Sequence, residues 1–282
     1  MQKTRLMTVA FAVAAAAGLA QAQFNVIVPN GTQSDPLANA TSFGASPAAT
    51  AVYGMVSFEG DLTEINTSTY ASEAHFSISV NGGAALDYKP STTSGYTGTI
   101  HVSHSAAGLF WANAGDSWDF DAFDSFDDGS DGLADSQWDN ASFAFSGAAP
   151  AATSLGQLGA NMTIDTNGST ADTELAVYTS DGQLIDTNDD NGGGGLWSLL
   201  NVSLTTPTTY WIVVGGYNSA FGDYLASSGT ATGQFVLNIN GHTVAAETLV
   251  GGDFFVYEFT IPTPGTAAML GLGGLVAIRR RR

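Results

Sequence analysis

The sequence predicts an all-β protein, on three observations. Apolar and polar residues alternate in Phe76-Ser77-Ile78-Ser79-Val80, Ile100-His101-Val102 and Phe143-Ala144-Phe145, the period-two pattern of strands with one buried face. The pairs Asn81-Gly82, Asp181-Gly182 and Gly215-Gly216 offer the positive-φ residues of tight hairpins. Between residues 23 and 260 no amphipathic stretch is long enough for a helix, and 34 glycines with abundant Ser and Thr suit turns and strand faces.

Residues 1–22 read as a signal peptide. Lys3 and Arg5 form a basic start, Leu6 to Leu19 is apolar, and Ala20-Gln21-Ala22 gives signal peptidase its small-x-small site. The mature chain is expected to begin near Gln23, outside the cytoplasm. Residues 23–147 are read as a first β-sandwich, rich in Asp. The small, Pro-containing stretch Gly147-Ala148-Ala149-Pro150-Ala151-Ala152 marks a boundary. Residues 148–260 then supply Leu175-Ala176-Val177-Tyr178, Phe235-Val236-Leu237-Asn238-Ile239 and Phe255-Val256-Tyr257-Glu258-Phe259. Tyr210-Trp211-Ile212-Val213-Val214 is apolar throughout, as a buried strand is. Strand signals spaced roughly 8–12 residues apart fit two jelly-roll-like sandwiches better than a helix-backed sheet.

Charge narrows the function classes. All 26 acidic residues lie between Gln23 and Thr260, whose single basic residue is Lys89, so this body carries −25 against −19 for the whole chain. Such a surface repels nucleic-acid phosphates and anionic membranes. It has almost no cations for internal salt bridges, so close carboxylates call for screening by salt or for bound metal ions. Cysteine is absent, which removes disulfides, thiol catalysis and cysteine-ligated zinc.

The last 22 residues, 261–282, run from Ile261-Pro262-Thr263-Pro264-Gly265 through an apolar Gly/Ala/Leu stretch to Arg279, Arg280, Arg281 and Arg282. A helix from Gly265 to Ile278 reaches about 21 Å at ~1.5 Å per residue, short of the ~30 Å hydrocarbon core. The arginines stay on the cytoplasmic side, so the body lies outside. This tail resembles the PEP-CTERM sorting signal, with Pro262-Thr263-Pro264 where the type sequence has Pro-Glu-Pro. The resemblance implies that an exosortase-type enzyme reads the tail and removes it near Pro262–Gly265. The protein is then expected at the cell surface or in the extracellular matrix, held by the membrane only through its terminal helix before processing. An ordinary tail anchor is the alternative.

A second resemblance lies in the second half. Asp172-Thr173-Glu174-Leu175-Ala176-Val177-Tyr178, Asp181-Gly182-Gln183-Leu184-Ile185, Asn188-Asp189-Asp190-Asn191-Gly192 and Tyr210–Asn218 together resemble the pre-peptidase C-terminal (PPC) type of β-sandwich. It covers about Ser154 to Ile239 and implies an accessory module, without fixing a function.

Two acidic segments have the makings of calcium loops, since calcium takes six to eight oxygens from carboxylates and carbonyls in flexible turns. The first is Asp127-Asp128-Gly129-Ser130-Asp131-Gly132, within a stretch of nine aspartates from Asp116 to Asp139. It lacks regular EF-hand spacing, and a solvated acidic loop is the plainer reading. Phe120, Phe123 and Phe126, flanked by Trp118 and Trp138, are expected to anchor this stretch on the core. The second is Asp186-Thr187-Asn188-Asp189-Asp190-Asn191-Gly192, where Asp186, Asn188 and Asp190 alternate and Asp189 adds a carboxylate. A β-turn capped by Asx side chains is the competing account.

Sugar binding, to an envelope or matrix polysaccharide, is the second functional reading. Trp197, Trp211, Tyr217 and Tyr224 are its aromatic candidates, with Trp211 expected in the core and Trp197, after four glycines, expected to be exposed. Catalytic signals are sparse. His75, His101, His104 and His242 are scattered, and neither His-Glu-x-x-His nor Gly-x-Ser-x-Gly occurs. Aspartate is abundant enough that no hydrolase pair stands out. The expected function is therefore non-enzymatic, structural or adhesive.

Overall fold

A computed structural model describes residues 23–36, 40–65, 70–126, 134–191, 195–205 and 208–262. Among these, every regular element is a β-strand. The first half forms β1 (Phe24–Ile27), β2 (Thr32–Pro36), β3 (Thr41–Ala45), β4 (Ala51–Glu64), β5 (Ala74–Val80), β6 (Leu86–Tyr88), β7 (Thr99–Ala112), β8 (Trp118–Asp124) and β9 (Ser136–Ala148). Next come β10 (Thr153–Gln157), β11 (Asn161–Asp165), β12 (Thr173–Thr179), β13 (Leu184–Asn188), β14 (Leu199–Ser203) and β15 (Thr209–Gly216). Two short strands, β16 (Ala220–Gly222) and β17 (Leu225–Ser227), precede β18 (Gly233–Ile239), β19 (His242–Leu249) and β20 (Phe255–Thr260). Each run that alternates in the sequence lies within one of these strands.

The largest sheet follows the order β16-β17-β7-β4-β9-β2-β8-β5-β6, with β1 on β9 and β3 on β8. Its long strand β4 carries register shifts at Tyr53/Met55 and Glu59/Asp61. Gly54 and Gly60 sit at these two shifts, where an irregular backbone bends the strand and a side chain would collide. The bent sheet wraps an aromatic core of Phe58, Phe76, Trp118, Phe120, Trp138, Phe143 and Phe145. Phe58 meets Phe143 at 4.9 Å and Trp138 at 5.0 Å between ring centroids, both edge-on, within the range of favourable aromatic pairs.

The ends of this path meet at Asp223, in the turn between β16 and β17. The Asp223 N–H donates to Ala84 O at 3.0 Å, and Asp223 Oδ2 accepts the Ala84 N–H at 2.9 Å. Its other oxygen, Oδ1, accepts the Leu184 N–H at 3.0 Å, so one carboxylate ties the first sheet to the start of β13.

The second half adds a five-stranded sheet, β10-β20-β15-β12-β13, and a four-stranded sheet, β14-β11-β18-β19. They enclose a second core that includes Ile164, Leu175, Val177, Ile212, Val214, Phe235, Leu237 and Phe259. The opposite face of the five-stranded sheet is also covered. Ala176, Tyr178, Val213 and Val256 pack against Leu109 and Trp111 of β7 and Ala226 of β17. This explains why β12 and β15 are apolar without alternation: both their faces are buried. The Tyr178 hydroxyl, shut into this seam, donates to Leu225 O at 2.9 Å. Burial raises its pKa well above the ordinary phenol value.

Two expectations are corrected. Gly215-Gly216 is no hairpin turn but the end of β15, where small residues permit close approach: a Cβ on Gly216 would lie 2.6 Å from the Ala231 side chain. Phe126 is 61% exposed and does not anchor the acidic stretch, while Trp118, Phe120 and Trp138 are core. Hairpin β16–β17, from the second half of the sequence, joins the first sheet through the rung Leu225↔Phe110.

Replacing Asp223 with Ala leaves two backbone N–H groups without their acceptor. The expected loss of about 2 kcal/mol would be read from the urea midpoint at unchanged m-value.

Candidate functional site

The acidic site starts from a hairpin register. The Asp181-Gly182 turn, with Gly182 at φ 99°, folds β13 back onto β12. The rung Leu175↔Asn188 then brings the start of β12 alongside the residues that follow β13. Asp172, Asp189 and Asp190 come together there, each offering an oxygen within 4.8 Å of the others.

Hydroxyl groups hold the floor of this loop. Thr166, Thr173 and Ser198 are all fully buried. Thr166 Oγ1 lies 2.6 Å from Thr173 Oγ1 and accepts the Ser198 N–H at 2.8 Å. Ser198 Oγ reaches the carbonyl oxygens of Thr173 and Asp189, so the two sides of the acidic cluster are fixed through backbone rather than through their carboxylates. Asp172 Oδ1 is buried without a hydrogen-bond partner.

Two residues on, Glu174 is only 6% exposed, and its Oε1 accepts the Asn218 N–H at 2.7 Å. Burial above all, then the Asp189 carboxylate, pushes its pKa up to about 8 from an ordinary 4.5. Burial likewise raises Asp172, helped by Asp189 and Asp190, and it raises Asp189, helped by Asp190. All three shifts share a cause: negative charge held close and partly out of water. A divalent cation reverses that balance, because the same oxygens that repel one another become its ligands.

The sequence candidates fall into separate places. Asp189 and Asp190 belong to the cluster. Asp186 is exposed and its Oδ1 accepts the Thr187 N–H at 3.0 Å, while Asn188 Oδ1 accepts the Leu199 N–H at 2.8 Å. Asp127, Asp128 and Asp131 lie outside the described residues; of the neighbouring aspartates, Asp124 is 3% exposed and Asp135 is fully buried. The signal segment, Pro264, Gly265 and Arg279 to Arg282 also lie outside them. Pro262 is half-buried, next to Ile261, whose N–H donates to Thr208 O at 3.1 Å.

Asp172 was missed, although Asp172-Thr173-Glu174 is legible as an acidic strand start. Finding it requires counting rungs across a hairpin whose register shifts between Val177 and Tyr178.

The aromatic candidates do not form a platform. Trp197 is half-buried rather than exposed, because it folds back over Gly195, where an added Cβ would come within 2.6 Å of its ring. Trp211 lies on Trp111 with centroids 5.4 Å apart, and no ring pair joins any two of the four. The histidines are dispersed as well: His101 Nδ1 is 2.9 Å from Asp61, His104 Nδ1 is 2.8 Å from the Tyr88 hydroxyl, and His75 Nε2 is 2.9 Å from Ser72 O.

Comparison with family models, curated proteins and solved structures finds no match.

The shift of Glu174 sets a sign. Between pH 4.5 and about 8 the folded chain keeps a proton that the unfolded chain releases, so stability falls as pH rises through this window. In chelator, melting midpoints should decline across that range, and Glu174→Gln should flatten the decline.

Proposed function

We propose that this chain is an exported, non-enzymatic surface or matrix protein, in which Asp172, Asp189 and Asp190 bind calcium. The observation that carries the calcium reading is the convergence of three carboxylates, two with raised proton affinity, on a loop fixed from below by buried hydroxyls. Their oxygens suit a hard cation, and a body of −25 has few other ways to offset crowded negative charge. Export and sorting rest on the sequence. A basic-apolar-small leader stands at one end, and at the other a Pro-Thr-Pro turn, short apolar stretch and four arginines resemble a PEP-CTERM signal. In this reading signal peptidase and an exosortase-type enzyme trim a body of two sandwich-like domains, 23–147 and 148–260, the second PPC-like. Calcium stiffens that body once it is outside.

A second reading, carbohydrate binding, draws on a groove of about 500 Å3 lined by Thr179, Asp181, Gln183, Ile185, Thr205 and Tyr210. Its hydroxyl, amide and carboxylate groups suit sugar hydroxyls. Glycan binding that survives loss of Trp197 but not of Gln183 would favour it.

Calcium at a hundredfold excess over its dissociation constant should add about 2.7 kcal/mol, a rise of several degrees in the melting midpoint. Asp172→Asn or Asp189→Asn should abolish that rise. An unchanged wild-type midpoint at fixed ionic strength removes calcium from the account. Mass spectrometry of the protein recovered from its native cells should give a mature start near Gln23 and an end near Pro262–Gly265, with the arginines gone.

A further inference from the structure

The sequence contains Asn-x-Ser/Thr triplets, the acceptor signal for N-linked glycosylation of an exported chain. They begin at Asn30, Asn39, Asn66, Asn140, Asn161, Asn167 and Asn201, of which Asn39 and Asn66 lie outside the described residues. All but one of the others have side chains committed to the fold. Asn30 Oδ1 accepts the Asn140 N–H at 2.9 Å, and the Asn140 side chain donates to Asp61 Oδ2 at 3.0 Å. Asn161 Oδ1 accepts the Ser203 hydroxyl at 2.7 Å, and Asn201 Oδ1 accepts the Thr163 hydroxyl at 2.9 Å, both across the β11–β14 ladder.

Asn167 differs. It is exposed, and among the described residues its side-chain amide has no hydrogen-bond partner. Its backbone, by contrast, is held on both sides: the N–H donates to Asp165 Oδ1 at 3.0 Å, and the carbonyl accepts from Asn238 Nδ2 at 3.0 Å. The Ser169 N–H donates to Thr166 O at 3.1 Å and closes a β-turn with Asn167 and Gly168 at its corners. Gly168 takes φ 96°, which glycine sustains without strain. A bulky substituent on Asn167 therefore displaces no internal bond.

A transferase must also read the hydroxyl two residues on. Ser169 Oγ donates to Thr166 O at 2.6 Å and accepts the Val236 N–H at 2.9 Å. Freeing it breaks two side-chain bonds of a turn. Freeing Ser142, Thr163 or Ser203 means parting a strand from its ladder, and Thr32, which serves Asn30, is 2% exposed.

We infer that Asn167 is an N-glycosylation site, taking a saccharide from a lipid-diphosphate donor through a membrane-bound transferase. The inference rests on the export reading, since this signal is used in secreted chains. The amide nitrogen of Asn167 attacks the anomeric carbon of the donor. A C–N bond forms as the C–O bond to phosphate breaks, the lipid diphosphate leaves with the bonding pair, and the amide gives one proton to solvent.

Aspartates flank the turn, so cleavage before Asp165 and Asp172 yields a short peptide whose single asparagine is Asn167. Mass spectrometry of the protein from its native cells should find a saccharide on this peptide, placed on Asn167 by fragmentation, with Asn140, Asn161 and Asn201 bare. Asn167→Gln should remove the added mass completely while circular dichroism still reports a folded chain, because the replaced amide has no partner. Ser169→Thr should keep the saccharide and Ser169→Ala should lose it. The same spectra read the mature start, which separates two failures. A bare Asn167 on a chain that starts near Gln23 overturns this inference alone; on a chain that still starts at Met1 it overturns the export reading as well. A saccharide that survives Asn167→Gln also overturns the inference, by placing the sugar on a serine or threonine.

Discussion

In one sheet, β10-β20-β15-β12-β13, the central strands β12 and β15 are buried on both faces, and the remainder of the molecule is arranged around that constraint. Its inner residues, Leu175, Val177, Ile212 and Val214, close the second core, while Ala176, Tyr178 and Val213 alternate with them and close the seam against β7 and β17. A strand in this position has no polar face to spare. Each large side chain there excludes about 1.5–3 kcal/mol worth of apolar surface from water, and a charge placed on either face would be stranded. The seam also explains the short excursion of β16 and β17 into the first sheet. Ala226 covers the outer face of the sheet, and Leu225 O receives the one polar hydrogen that Tyr178 brings in.

The acidic cluster inherits its rigidity from the same sheet. Asp172 and Glu174 stand at the start of β12, a strand held from two sides, and the exposed Asp189 and Asp190 are brought to them across the hairpin. Repulsion is therefore relieved by protonation, hence the raised proton affinity of Glu174, or by a cation. Coupling between cluster and core is mechanical as well as electrostatic. The backbone of Asp189 rests on Ser198, and Ser198 on Thr166 and Thr173, all fully buried.

Sequence patterns disclosed the strands well because period-two alternation and unbroken apolar runs are local. Tyr210–Val214 could be recognised as buried, but not what buried its second face. That partner, Leu109 with Trp111, is about a hundred residues away and has no mark beyond being apolar. Hairpin 220–227 was illegible for a similar reason: two three-residue strands carry too little pattern, and their pairing with β7 is a long-range choice. Glycine misled in one place, since Gly215-Gly216 has the look of a turn yet serves close packing. At the site, Asp189 and Asp190 were visible as an acid-rich turn. Asp172 belongs to them only through a hairpin register. Phe126 and Trp197 show that aromatic spacing does not tell which rings reach the core.

If the doubly buried pair of strands unites the molecule, heating should disassemble it as a unit. Scanning calorimetry of the mature chain at fixed pH should then give one transition whose calorimetric and van't Hoff enthalpies agree. Two separable transitions, one of them insensitive to disruption of the Trp111–Tyr178 contact, would show that the seam is incidental and that the first sheet and the second core stand independently.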